Sequence, residues 1–128
     1  MTITEVSKKY GLSADTLRYY ERIGLIPKIN RNKRGVRDFT EEDCRWVEFI
    51  KCMRGSGLSI ESLIEYVKLF QEGNSTINAR KEILIEQRNQ LADRIKEMQS
   101  TLDRLDKKID GYEEKMLAKE EEIKNKNN

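Results

Sequence analysis

The sequence predicts an all-α protein with a small β wing, arranged as a winged helix-turn-helix head over residues 1–72 and a long coiled-coil dimerisation helix over 75–124. Three observations lead there. Short, capped amphipathic segments follow one another up to Gly73. A basic, glycine-bearing stretch interrupts them between Lys28 and Arg37, and a proline-free run with apolar residues at heptad spacing comes after.

Thr2 with Glu5 three residues later is a capping box, and Ile3, Val6 and Tyr10 repeat at helical spacing up to Gly11, which gives a short first helix. Ser13 caps a second helix that carries Asp15 in its first turn and Leu17, Arg18 and Tyr20 in its body, ending near Arg22 before Gly24. Two short helices joined by so tight a turn read as a helix-turn-helix, with the second as the recognition helix. Beyond Pro27, residues 30–35 are polar, basic and turn-forming, while Ile26, Val36 and Phe39 offer apolar contacts, so this stretch reads as a two-stranded wing with a basic tip.

Thr40, with Asp43 at the capping-box position and Glu41 and Glu42 in the positive first turn, opens a third helix lined by Trp46, Val47, Phe49, Ile50 and Met53. Gly55, Ser56 and Gly57 break it. Ser59 restarts a helix that turns Ile60, Leu63, Ile64, Val67, Leu69 and Phe70 largely inward and ends at Glu72, Gly73 and Asn74. From 75 to 124 the chain holds no proline and one glycine, Gly111, and is rich in Glu, Lys, Arg, Gln and Leu. Leu84, Leu91, Ile95, Met98, Leu102, Leu105, Ile109, Tyr112 and Met116 fit a heptad seam that is unbroken from 91 to 116. At about 1.5 Å per residue, about 45 residues of such a helix run roughly 65 Å, more than a small head can cover, so the seam calls for a second copy of the chain.

Composition narrows the function. The 128 residues include 25 basic and 23 acidic side chains, and 38% charged against 37% hydrophobic leaves little for a large core. No apolar run suits a membrane span and the N-terminal residues do not resemble a signal peptide, so a cytoplasmic protein with no membrane partner is expected. With no histidine the commonest general base and metal ligand are missing, and no catalytic residue, cofactor or metal site is expected. Charge is unevenly spread: from Arg18 to Arg37 there are seven basic residues and one acid, Glu21. That stretch would attract a polyanion.

On the second helix, Asp15, Thr16, Arg18 and Tyr19 are expected to face the major groove, with Ser13 at its start and Arg22 at its end. Arg18 could take guanine O6 and N7 or a phosphate, while the Thr16 and Tyr19 hydroxyls suit phosphate oxygens. Lys28, Arg31, Lys33, Arg34 and Arg37 would reach a flanking groove or the backbone, Arg37 from the base of the wing. Cys44 and Cys52 stand eight residues apart, too far for a disulfide within one helix, and buried helical thiols are the plain expectation for both.

Residues 1–72 resemble the N-terminal domain of the MerR family of bacterial transcription regulators, on the strength of TLRYYERIGLI, the basic stretch after it, and DFTEEDCRWVEFI. The resemblance implies a second helix in the major groove, backbone contacts from Arg18, Tyr19 and Arg37, and an antiparallel coiled coil joining two subunits. It further implies binding to double-stranded promoter DNA with an overlong spacer, which the dimer distorts so that RNA polymerase engages both promoter elements. Phe39 stands where many members have Tyr. Metal-sensing members carry cysteines at and beyond the dimerisation helix, whereas residues 73–128 hold neither Cys nor His, and no C-terminal drug-binding domain is expected. What remains is similar to the subgroup that senses aldehydes, nitrosative or other electrophile stress through one cysteine in the helix after the wing, a position Cys52 matches. Two other readings stay open: a constitutive repressor or architectural DNA-binding dimer without a sensor, for which Cys52 should be buried, and a coiled-coil adaptor that binds no DNA.

Overall fold

The computed structural model describes residues 1–126, and every regular element in them is helical. In chain order these are α1 (Ile3–Tyr10), α2 (Ala14–Ile23), α3 (Glu41–Gly55), α4 (Ile60–Glu72), a 3-10 turn (Asn74–Thr76), α5 (Ile77–Ile109) and α6 (Tyr112–Lys126). The chain forms two compact units, Met1–Leu91 and Ala92–Asn128.

The first unit contains the core. Val6 of α1, Leu17 of α2, Val47 and Ile50 of α3 and Leu63 of α4 gather with Leu25, Ile26, Ile29 and Phe39 from the segment between α2 and α3. Burial of each such side chain is worth about 1.5–3 kcal/mol, enough together to fix the four helices against one another. The caps read from the sequence form: Thr2 Oγ1 accepts the Glu5 N–H at 3.2 Å, Ser13 Oγ that of Thr16 at 3.0 Å, Thr40 Oγ1 that of Asp43 at 3.1 Å and Ser59 Oγ that of Ser62 at 3.1 Å. Each satisfies an amide that the first helical turn leaves without an intrahelical partner.

The expected two-stranded wing is not there. Among the described residues there is no strand, and the stretch between α2 and α3 holds a single isolated antiparallel bridge, Arg31 to Arg37. Asn32 accounts for this. Its Oδ1 accepts the N–H groups of Arg34 at 2.9 Å and Val36 at 3.1 Å, so backbone donors that could extend a ladder close a side-chain turn instead. Val36, expected to make an apolar contact, is 44% exposed; its carbonyl accepts the Asn32 N–H at 2.8 Å and the Asn30 carbonyl that of Asp38 at 2.9 Å, bonds that close the loop without making a strand. The segment is a basic loop anchored by Leu25, Ile26, Ile29 and Phe39 beneath it.

The continuous coiled-coil helix over 75–124 is likewise corrected. α5 ends at Ile109, and Gly111 adopts φ +67° before α6 begins. That left-handed conformation suits glycine and resists helix propagation. In the second unit Ile95, Met98, Leu102, Leu105, Ile109 and Tyr112 are exposed, so among the described residues no coiled coil, antiparallel or otherwise, is formed. A heptad pattern marks an apolar stripe on a helix; it does not supply the helix opposite. No helix of the described residues is long and apolar enough to cross a membrane.

Candidate nucleic-acid interface

α2 is held from one side and presented on the other. Leu17 is buried at 1% exposure and Tyr20 is half-buried, so Asp15, Arg18, Tyr19 and Arg22 lie on the solvent side. Arg18 Nη1 donates to Asp15 Oδ1 at 2.9 Å. This ion pair is exposed and worth at most about 1 kcal/mol, so a stronger anion can take the guanidinium from it. The Arg22 guanidinium lies 5.4 Å from the centre of the Tyr19 ring, a cation–π contact that steadies both side chains. Ser13 is exposed at the cap and donates its hydroxyl proton to Thr16 Oγ1 at 2.8 Å, which leaves Thr16 half-buried with its hydroxyl already engaged.

In the basic loop Lys28, Arg31, Lys33 and Arg34 are exposed. Arg31 Nη1 donates to the Gly35 carbonyl at 2.7 Å, which braces the turn across its own base. Arg37 is different: its side chain is 20% exposed, and its Nε donates to Glu21 Oε1 at 2.9 Å. The other oxygen, Glu21 Oε2, accepts the Ile29 N–H at 2.6 Å. One carboxylate of α2 thus holds the loop at both its start and its end. The structure therefore joins the two stretches that the sequence singled out, through a residue read only as the lone acid in a basic run. That loneliness was the available signal.

The two thiols part company. Cys44 is buried at 6% exposure, whereas Cys52, expected to be buried too, is exposed in the last turn of α3. Its carbonyl accepts the Ser56 N–H at 3.1 Å, and the basic neighbours are committed elsewhere: Lys51 Nζ donates to the Tyr10 carbonyl and Arg54 Nη1 to that of Leu58 at 2.6 Å. No group of three or more His, Cys, Asp or Glu side chains among the described residues could hold a metal ion. Trp46, Phe49, Tyr66 and Phe70, with Glu42 and Arg45, line an open hollow of about 300 Å3.

Of the expected dimer contacts, Leu84, Leu91 and Met116 are half-buried, and Ile95, Met98, Leu102, Leu105, Ile109 and Tyr112 are exposed. Gln87, beside the exposed Arg88 that fills the heptad position between Leu84 and Leu91, is buried at 4% exposure and was not anticipated as a functional residue.

A capped recognition helix with an outward arginine, tied to a basic loop within one helical head, defines a helix-turn-helix regulator of DNA. Residues 1–70 match the MerR HTH family regulatory protein family, and residues 44–108 match the MerR DNA-binding family. The chain belongs to the MerR family and is a DNA-binding transcriptional regulator. It is 59% identical over 91 residues to the HTH-type transcriptional regulator AdhR of Bacillus subtilis, a match that takes in 71% of this chain and 65% of AdhR. Among solved structures, a MerR-family transcriptional regulator from Listeria monocytogenes is 55% identical with a TM-score of 0.87, covering 99% of this chain and 96% of the other. HiNmlR, a MerR-family regulator lacking the sensor domain and bound to promoter DNA, is 30% identical with a TM-score of 0.79, covering 88% and 90%.

Proposed function

We propose that the chain acts as a homodimer on double-stranded promoter DNA, with α2 in the major groove and the basic loop on the flanking backbone. The observation that carries this reading is the double hydrogen bond of Glu21, which presents Arg18, Tyr19 and the loop cations as one surface. Kinship with HiNmlR, a protein bound to promoter DNA, supports it. Ser13, Asp15 and Thr16 sit at the entering end of α2; Lys28, Arg31, Lys33, Arg34 and Arg37 provide the electrostatic grip. The apolar side chains of α5 that stand exposed are the contact surface for the second copy. The dimer activates by distorting a promoter with a long spacer, so that RNA polymerase, its partner through that shared promoter, engages both elements.

Cys52 is the sensor in this reading. Its sulfur adds to the carbonyl carbon of an aldehyde, a C–S bond forms, and the thiol proton passes to the carbonyl oxygen. Exposure of Cys52 supports this and runs against the sensorless repressor, which needs a buried thiol. Transcription from a promoter fragment that the protein retards, with wild type and Cys52→Ser and with and without an aldehyde, tests it. Induction in wild type alone is expected; equal induction in both ends the thiol mechanism. The DNA-free adaptor reading fails if retardation is lost in Arg18→Ala.

A further inference from the structure

Among the described residues every buried side chain but one is apolar, and the exception is Gln87 of α5. It lies three residues after Leu84 and four before Leu91, one residue short of the heptad position at Arg88 and towards α4, where an aliphatic side chain would pack without any hydrogen-bonding requirement. A buried amide is tolerated only if both of its ends are bonded. Here they are: Oε1 accepts the Ser59 N–H at 3.1 Å, and Nε2 donates to Ser62 Oγ at 3.1 Å. Ser59 is the N-cap of α4 and Ser62 is the residue whose amide it caps. Gln87 therefore grips both members of the α4 cap from the neighbouring helix.

What lies immediately before Ser59 gives the grip its meaning. The Leu58 N–H bonds the Met53 carbonyl at 3.0 Å, Arg54 Nη1 bonds the Leu58 carbonyl at 2.6 Å, and the Ser56 N–H bonds the Cys52 carbonyl at 3.1 Å. The last turn of α3, with Cys52 in it, is thus laced to Leu58, whose next residue is held by Gln87. Hydrogen bonds differ from apolar contacts in being directional and short-ranged. A leucine could slide along α4 at little energetic cost, but the two Gln87 bonds break once donor and acceptor separate beyond about 3.5 Å. A buried polar side chain bonded at both ends between two helices is suited to fixing register more than to adding stability.

We propose that Gln87 is a positioning residue that couples the Cys52-bearing end of α3 to α5, so that a change in the 55–58 turn is felt by the helix carrying the exposed apolar stripe. It rests on the reading of the chain as a regulator switched at Cys52. Gln87→Met keeps length and volume and removes both bonds. Gln87→Glu keeps the acceptor for the Ser59 N–H, its second oxygen can accept from the Ser62 hydroxyl, and its charge lies at the favourable N-terminus of α4. Ser62→Ala removes only the Nε2 partner.

The test uses the full chain and two readouts. In amide hydrogen exchange, alkylation of Cys52 with iodoacetamide should speed exchange in both the 59–63 and 84–91 segments of wild type and of Gln87→Glu. In Gln87→Met the 84–91 segment should no longer respond, and Ser62→Ala should respond less than wild type, which keeps the proposal testable if Gln87→Met fails to fold. Alkylated wild type with unchanged exchange over 84–91 overturns the joint. In transcription, Gln87→Met should keep promoter affinity within about threefold of wild type, since Gln87 makes no bond to α2 or the loop, while its ratio of induced to uninduced transcript falls towards one. Gln87→Glu should keep most of that ratio. A Gln87→Met protein that responds like wild type overturns the proposal; a wild type with no aldehyde response instead overturns the thiol switch, and the exchange readout alone then decides the joint.

Discussion

Glu21 and Arg37 are joined at 2.9 Å between Oε1 and Nε, with side chains only 15% and 20% exposed, in the one place where the basic stretch contains an acid. The same carboxylate takes the Ile29 N–H. Electrostatics alone would make Glu21 a nuisance on a surface that meets a polyanion. Geometry makes it the clasp that keeps the loop against α2.

The two views predict opposite signs. Glu21→Ala removes a negative charge, which by charge count should tighten binding to a promoter fragment; loss of the clasp should weaken it instead. Leaving the Ile29 amide and Arg37 without their acceptor should also destabilise the fold by about 1–3 kcal/mol in urea titrations. Tighter binding at unchanged stability would show that the carboxylate is not structural.

Arg18 and Arg34 are exposed cations on different elements, and in the proposed DNA complex both would meet phosphates. Arg18→Ala and Arg34→Ala should each weaken binding to specific and unrelated duplexes alike, and lower the slope of log affinity against log salt by roughly 0.9 for each phosphate no longer neutralised. A variant that loses affinity only for the cognate sequence, with its slope intact, would assign that arginine to a base edge instead.

How much of this was legible in the sequence follows from what each feature needs. The caps at Thr2, Ser13, Thr40 and Ser59 could be read because a cap is a side chain at a fixed offset from an amide. The strands of the wing could not be excluded, because the outcome turned on whether Asn32 Oδ1 would take the Arg34 and Val36 amides, and composition does not show that competition. The roles of Glu21 and Gln87 depend on partners 8 to 28 residues away, and the sequence showed them only as an acid among bases and a glutamine beside the seam. Cys52 was misplaced for a simpler reason. It lies two residues past the buried Ile50, about 200° around the helix, on the opposite face.

That phase difference makes the thiols separable by reagent. In the native protein a thiol-disulfide indicator should titrate Cys52 quickly and Cys44 only slowly, and denaturant should release the second thiol. Cys52→Ser should abolish the fast phase and leave the slow one. Two fast thiols, or none, would contradict the burial of Cys44 or the exposure of Cys52.

The capping box of α1 predicts a pH dependence with a definite sign. The Thr2 N–H donates to Glu5 Oε1 at 3.2 Å, and this backbone hydrogen bond, followed by the Thr2 side-chain hydrogen bond, holds the Glu5 carboxyl below the ordinary glutamate value. A carboxyl with a lowered pKa in the folded state contributes stability that is present above its unfolded value and is lost as pH falls through the folded one. Melting temperatures of wild type and Glu5→Gln, followed from neutral pH down through the acid range, should therefore diverge above the ordinary glutamate value, with wild type the more stable, and converge below the lowered folded value. Glutamine still offers an acceptor to the Thr2 amide but carries no charge to lose, so its curve should be the flatter. Parallel curves across the whole range would mean that the Glu5 carboxylate adds nothing to the cap beyond its shape.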